Sequence, residues 1–182
     1  MVLQPVYRLR LFYQKTGISA AISQLNFARI FERTLRRLDF PFKFTEGFHP
    51  RPRISFGPSL PVNISGLNEA VDVYAVKLIE ENKVLTEANR LLPEGTHIHR
   101  AYWIPLHLPS LHQSASSATY IFTGDVSNWK EKILRLGTPV SCSTNRLELT
   151  VHLAEFSHKS LREILPVCHV ERYIHWNGYE KE

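Results

Sequence analysis

Residues 6–14 predict a β-strand, because apolar and charged side chains alternate in the first half of this segment. Leu9 and Leu11 share one side of this segment, and Arg8 and Arg10 share the other. The segment therefore predicts a first strand whose two arginines lie opposite its apolar side.

Residues 23–38 carry the spacing of an amphipathic helix. Ser23 is a suitable N-terminal cap, and Pro41 ends the element. An apolar face runs from Phe27 to Leu38. The opposite face, an arc of about 100°, holds four arginines: Arg29, Arg33, Arg36 and Arg37.

Further patterns complete the first part of the chain. Residues 40–61 begin as a short alternating strand at 40–44 and pass into a loop stiffened by prolines, with a short strand at 53–56. The segments that follow predict a strand at 69–79, a helix at 80–92 and a strand at 96–104. The order strand, helix, strand, strand, helix, strand is that of a ferredoxin-like unit.

The same order recurs after a connector rich in proline, serine and histidine. The connector spans residues 105–118, and the later patterns predict a strand at 119–125, a helix at 126–137, a hairpin around Asn145, a short helix at 158–165 and a strand at 170–176. We therefore predict an α+β protein of two tandem ferredoxin-like (βαββαβ) halves with antiparallel sheets. The first half covers residues 1–104 and carries the basic surface, and the smaller second half covers residues 119–182. No sequence repeat links the halves, so this interpretation rests on element order alone.

Composition narrows the class of protein. The chain has 182 residues, 43% of them apolar, which suits one large or two small folded domains. No apolar run is long enough to cross a membrane, and the N-terminal residues interleave charges with apolar side chains, so we expect a cytoplasmic protein without a secretory signal. Its two cysteines, Cys142 and Cys168, argue against a disulfide framework or an iron–sulfur cluster, and no cofactor is predicted.

Positive charge is concentrated near the N-terminus. The net charge of the whole chain is +5, whereas residues 1–60 alone carry ten Lys or Arg and three Asp or Glu. A segregated basic surface attracts phosphate-rich partners such as RNA. The competing interpretation is a protein that is basic without a nucleic-acid partner.

Two adjoining features supply candidate phosphate-binding residues. The first is the arginine face of the predicted helix, since guanidinium groups match phosphate geometry. The second is the loop after it, where a glycine and two prolines can hold side chains in place before a ligand arrives. The competing interpretations are a solvated helix face and a loop stiffened for packing. The loop candidates are Glu46, Gly47, Phe48, His49, Arg51 and Arg53.

Other chemistry has weaker support. His97 and His99 share a strand face, but no Asp, Glu or Cys is positioned to complete a metal site, so none is predicted. His49 beside arginines is a weak candidate for acid–base catalysis. The common nucleotide-binding, hydrolase and metalloprotease motifs are absent from the sequence. Four aromatic residues are candidates for base stacking or for the core: Phe48, Phe56, Tyr102 and Trp103.

The segment 17–73 resembles a family of small bacterial proteins, the radical-SAM-linked domain of unknown function. The resemblance rests on Ser23, Leu25, Phe31–Arg33, Leu35–Arg37, Glu46–Phe48, Pro50, Pro52, Ile54, Ser55, Phe56, Leu60, Pro61, Glu69 and Asp72. Members are encoded beside radical SAM proteins or fused to them, which implies such a protein as partner, and their gene neighbourhoods imply RNA metabolism. The family's helix begins Ser-His-Leu-Asp, but Gln24 and Asn26 replace the His and the Asp in this chain. Chemistry carried by those two side chains would be lost, whereas a binding role survives.

Three hypotheses follow. We favour an accessory protein that binds RNA, or presents it to a radical SAM partner, through the arginine face and the loop. The first alternative is a metal-independent endoribonuclease that uses His49 as general base, by analogy with the tandem ferredoxin-like nucleases that process CRISPR repeats. The second is an adaptor that binds only the radical SAM protein.

Overall fold

One mixed sheet organises the protein. The computed structural model describes residues 6–161, 164–166 and 168–177. The strands of this described part are β1 (Tyr7–Lys15), β2 (Ile54–Phe56), β3 (Ile64–Ala75), β4 (Thr96–Ile104), β5 (Ala115–Gly124), β6 (Thr138–Cys142), β7 (Arg146–His152) and β8 (Cys168–Trp176). The helices are α1 (Gly17–Ala20), α2 (Gln24–Arg37), α3 (Glu81–Leu91), α4 (Leu111–Ser114) and α5 (Lys130–Leu134), with 3-10 turns at Ser127–Trp129 and His158–Leu161. Within these ranges, no helix is long and apolar enough to cross a bilayer.

The strand order is β4-β1-β3-β8-β5-β7-β6, and β2 also pairs with β3. Neighbouring strands are antiparallel except at one junction, where Ile64–Gly66 of β3 run parallel to Val170–Arg172 of β8. The predicted α+β class with a mostly antiparallel sheet is confirmed. Since the strands join into one continuous sheet, the division at residues 104 and 119 and the tandem ferredoxin-like description stay predictions.

Helix α2 follows the sequence prediction closely because its signals are local. The Ser23 hydroxyl accepts a hydrogen bond from the Asn26 amide at 3.3 Å, which caps the first turn. Phe27, Phe31 and Leu35 are buried in a core that also holds the apolar side chains of β1, β3 and α3. The opposite face is left in water.

A second core lies between β5, β7, β8 and the short helices of the second part of the chain. Phe12 and Leu60 from the first part belong to it as well, and Trp176 donates its indole hydrogen to the Asn68 carbonyl at 2.9 Å. Phe12 and Trp176 pack edge to face with ring centroids 6.2 Å apart. The two parts of the chain therefore share apolar contacts across the β3–β8 junction.

Several predicted boundaries need correction. Residues 40–44 form only isolated bridges, Phe42 with Ala75 and Phe44 with Pro52, because prolines interrupt the pairing. Strand β3 begins five residues before the predicted start, and the short helix α1 lies between β1 and α2. In the connector, α4 forms behind a capping box at Ser110, and β5 begins at Ala115. In place of the helix predicted at 126–137, the structure has a 3-10 turn followed by the short helix α5. The helix predicted at 158–165 falls partly on residues 162–163, which lie outside the described residues.

The arginines of β1 are buried rather than part of a basic surface. Arg10 binds the Asp72 carboxylate through Nε and Nη2 at 2.8 and 3.0 Å. Arg8 donates to the carbonyls of Pro105 and Leu108 at 2.7 and 2.9 Å. The bonds from Arg8 hold the connector against the sheet face opposite α2. The connector thereby shields the guanidinium groups of Arg8 and Arg10 from water.

A second buried ion pair joins β3 to β8. Arg172 donates to both oxygens of Glu69, at 3.0 and 2.7 Å, and to the carbonyls of Ser59 and Pro58 at 3.0 and 2.9 Å. Burial alone lowers the pKa of Arg172, but the Glu69 carboxylate outweighs it and raises that pKa above its ordinary value. Arg172 is therefore charged in the folded protein.

Candidate nucleic-acid interface

Four exposed arginines lie along the outer face of α2. Arg29, Arg33, Arg36 and Arg37 are all exposed, as the helical spacing predicts. Arg36 pairs with Glu32 at 2.9 Å, a pair that is open to solvent and therefore weak. Among the described residues no ion pair involves the other three, so this face presents a net positive charge.

The loop after α2 is held at its base and open at its tip. The Thr45 amide donates to the Arg51 carbonyl at 2.8 Å, and the Arg51 amide donates to the Thr45 hydroxyl at 3.1 Å. Gly47 has a φ of 125°, a conformation that other residues rarely adopt. Every residue from Thr45 to Arg51 is exposed, and the Phe48 ring is entirely in solvent. Such a ring, held on a braced loop, can stack on a nucleobase.

Arg36 connects the helix to the base of the loop. Its guanidinium carbon lies 5.8 Å from the centre of the Phe42 ring and 5.7 Å from that of Phe44. Phe44 immediately precedes the loop and bridges to Pro52 at the other end of it. The structure therefore brings the arginine face of α2 and the loop next to each other.

Arg53 lies apart from the helix arginines. Its guanidinium carbon is 4.1 Å from the centre of the Tyr74 ring. Tyr74 lies between Val73 and Ala75, both of which belong to the core beneath α2, and successive side chains of a strand point to opposite faces. Arg53 and Tyr74 thus lie on the sheet face away from α2, and only the helix arginines and the tip of the loop form one surface.

His49, the one weak candidate for catalysis, is exposed, as is the loop candidate Glu46. His49 and Glu46 both lie at the tip of the loop, and no hydrogen bond to the side chain of either is formed within the described ranges. Nor do those ranges contain three His, Cys, Asp or Glu side chains grouped to hold a metal ion.

Most residues of the family motif stabilise the fold and do not lie on the arginine surface. Phe56 packs against Phe27 and Phe31 at ring-centroid distances of 6.2 and 5.9 Å, so it belongs to the core rather than to a stacking surface. Asp72 and Glu69 lie in the two buried ion pairs. Ser23 caps α2, Gln24 and Asn26 lie in its first turn, and Ser55 pairs in register with Asp72.

The other aromatic candidates also pack inside the protein. Tyr102 lies edge-on to Phe12, with ring centroids 6.3 Å apart. Trp103 donates its indole hydrogen to the Ile79 carbonyl at 2.9 Å. Among the four aromatic candidates, Phe48 alone is exposed, because the other three lie on strands covered by other elements.

Sequence reasoning missed a groove between the C-terminal end of α2 and α3. Its volume is about 310 Å³, and it is lined by Arg37, Leu38, Asp39, Ile79, Lys83, Val84 and Glu87. Arg37 belongs both to the groove and to the arginine face of α2. The one available signal was an aspartate directly after a helix, where a glycine usually stands.

These features describe a small α+β protein with an arginine-bearing helix beside a braced, exposed loop. Residues 8–163 match a family described as uncharacterised proteins conserved in bacteria (DUF2344), and the chain belongs to this family. The match covers the α2 arginines, the loop and both buried carboxylates. No protein in a search of curated sequences matches the chain.

Proposed function

We propose that this protein binds single-stranded RNA in the cytoplasm and acts without catalysis of its own. The observation that carries the proposal is the single surface formed by the α2 arginines and the loop that presents Phe48. The arginines contact phosphates, which fixes the strand without reading its sequence. Phe48 stacks on a base, and the braced loop limits the entropy lost on binding.

The partner that receives the RNA is, in this proposal, a radical SAM protein. The resemblance of residues 17–73 supports it, and the family match supports a bacterial setting. We also propose a tandem ferredoxin-like design, because the strand orders β4-β1-β3-β2 and β8-β5-β7-β6 repeat the same arrangement.

An adaptor that binds only a protein is the second candidate. Ile18 and Leu25 favour it, since 74% and 64% of these apolar side chains are exposed near the start of α2. An adaptor would form a stable complex with its partner and would have no affinity for RNA.

Binding of fluorescent oligo-uridine over a series of salt concentrations tests the proposal. The variant is Arg29→Gln/Arg33→Gln/Arg37→Gln, which spares the Arg36 contacts with Phe42 and Phe44. The matched control removes three exposed charges from the second part of the chain, Lys130→Gln/Arg135→Gln/Lys159→Gln.

We expect the α2 variant to bind more weakly and the slope of log affinity against log salt to fall by about 2, at roughly 0.7 per lost phosphate contact. The control variant should bind like the wild type. A wild type without affinity at low salt refutes RNA binding and leaves the adaptor. Cleavage of the oligonucleotide, lost in His49→Ala, would instead establish the nuclease.

A further inference from the structure

Asp39 breaks two local rules at the end of α2. The Asp39 amide donates to the Arg36 carbonyl at 3.2 Å, and the Phe40 amide donates to the Leu35 carbonyl, also at 3.2 Å. These two hydrogen bonds form a Schellman motif. In that arrangement the residue at the Asp39 position is usually glycine, because its φ is positive, and here φ is 52°. A carboxylate is also unfavourable there, since the C-terminal end of a helix carries partial negative charge.

The groove beside Asp39 combines an apolar floor with a charged rim. Leu38, Ile79 and Val84 form the floor, and Val84 is buried. Lys83 and Arg37 supply positive charge at the rim. Glu87 pairs with Arg90 at 3.2 Å, whereas no ion pair of Asp39 is found among the residues that the structure describes. The Asp39 carboxylate is therefore available to accept hydrogen bonds from a ligand in the groove.

The groove also continues the proposed RNA interface. Arg29, Arg33 and Arg37 follow one another at intervals of four residues, about 6 Å along the helix axis. A strand whose phosphates follow these arginines from the start of α2 arrives at the groove where Arg37 lines it. One nucleotide at this point can turn its base off the strand and onto the aliphatic floor.

We infer that the groove binds a single guanine of the RNA and that Asp39 selects it, an inference that rests on the proposed function. The two oxygens of a carboxylate accept two neighbouring hydrogen bonds. Guanine alone among the four bases offers two adjacent donors on its Watson–Crick edge, the N1 hydrogen and the N2 amino group. Uracil, cytosine and adenine each place an acceptor beside their donor, which a carboxylate repels. Arg37 and Lys83 neutralise the flanking phosphates.

The test compares short oligo-uridines that carry U, C, A or G at one central position. Asp39→Asn keeps the size of the side chain and the tolerance for positive φ but replaces one acceptor oxygen by a donor. Asp39→Gly removes the side chain and relieves the backbone. Glu94→Gln is the matched control, because it removes one exposed negative charge outside the groove.

We expect the wild type to prefer the guanosine oligonucleotide over oligo-uridine by about tenfold, in line with one bidentate contact. Both Asp39 variants should lose this ratio while they still bind oligo-uridine, and Glu94→Gln should keep it. Asp39→Gly should also melt about 2–4 °C higher, because the strain is gone.

Four outcomes would overturn the inference. RNA binding without a guanine preference in the wild type refutes the guanine site alone, as does a preference that survives in both Asp39 variants. Displacement of the RNA by guanosine monophosphate at concentrations near the RNA Kd would assign the groove to the free nucleotide. A wild type that binds no RNA refutes the proposed function together with the inference.

Discussion

Glu69→Gln should destabilise the protein strongly, because it leaves the charge of Arg172 buried without its counter-ion. The side chains of Arg172 and Glu69 are 0% and 3% exposed, and the pair is bidentate. Removal of one partner from such a pair costs about 3–5 kcal/mol. The carbonyls of Ser59 and Pro58 still accept from Arg172, so we expect the lower end, about 3 kcal/mol.

A double variant separates the free energy lost with the ion pair from the cost of leaving Arg172 buried without a counter-ion. In Glu69→Leu/Arg172→Met neither charge of this pair remains buried, and the main loss is the two carbonyl hydrogen bonds, about 1 kcal/mol each. The double variant should therefore be more stable than Glu69→Gln alone. Urea unfolding followed by tryptophan fluorescence measures both, and Trp176, bonded to the carbonyl of Asn68, reports on this junction. A loss below about 1 kcal/mol in Glu69→Gln, or a double variant less stable than the single one, would contradict this prediction.

Two further predictions concern stability. Burial, with the charge of Arg172, lowers the pKa of His158 from 6.5 to about 4. The unfolded chain then binds more protons between these pH values, so stability should fall as the pH drops from 6.5 towards 4. His158→Gln should flatten that part of a plot of urea midpoint against pH, and an unchanged slope contradicts this. Gly95→Ala should cost about 2 kcal/mol or more, because φ is 82° and a Cβ would collide with the Thr16 carbonyl. Gly47→Ala, with positive φ but open space, should cost less in the same urea titration.

Local patterns predicted α2 and its exposed arginines well. The cap at Ser23, the apolar spacing and the arginine face all depend on residues within a few turns of one another, and the structure confirms each of them. The sequence also indicates the loop, since its glycine and prolines act on their own backbone.

Contacts between distant residues could not be predicted in this way. Arg8 and Arg10 alternate with leucines as the solvent side of a strand does, yet the partners that bury them lie 62 to 100 residues away. Nothing within β1 indicates that the connector covers the side of the strand that carries Arg8 and Arg10. A signal does exist in β3, where Glu69 and Asp72 interrupt an apolar strand and therefore require buried cations.

The groove escaped prediction for a related reason. It forms where α2 meets α3, about forty residues apart in the sequence, and no pattern within either helix reveals the space between them. The sequence signal is an aspartate where a helix usually ends in glycine, and only the structure shows that its φ is positive.

The shared edge of β3 has a consequence for synthesis of the protein. Strand β2 pairs with residues 71–73 of this edge, and β8 pairs with residues 64–66. As the chain leaves the ribosome, β1 to β4 can assemble first, while residues 64–66 wait for a strand about one hundred residues further along. During that interval the nascent protein carries an open strand edge and a Glu69 carboxylate without its cation, and open edges invite pairing with other chains. A ribosome that pauses before β8 would therefore prolong this aggregation-prone state, whereas the arrival of β8 closes the strand edge and brings Arg172 to the Glu69 carboxylate.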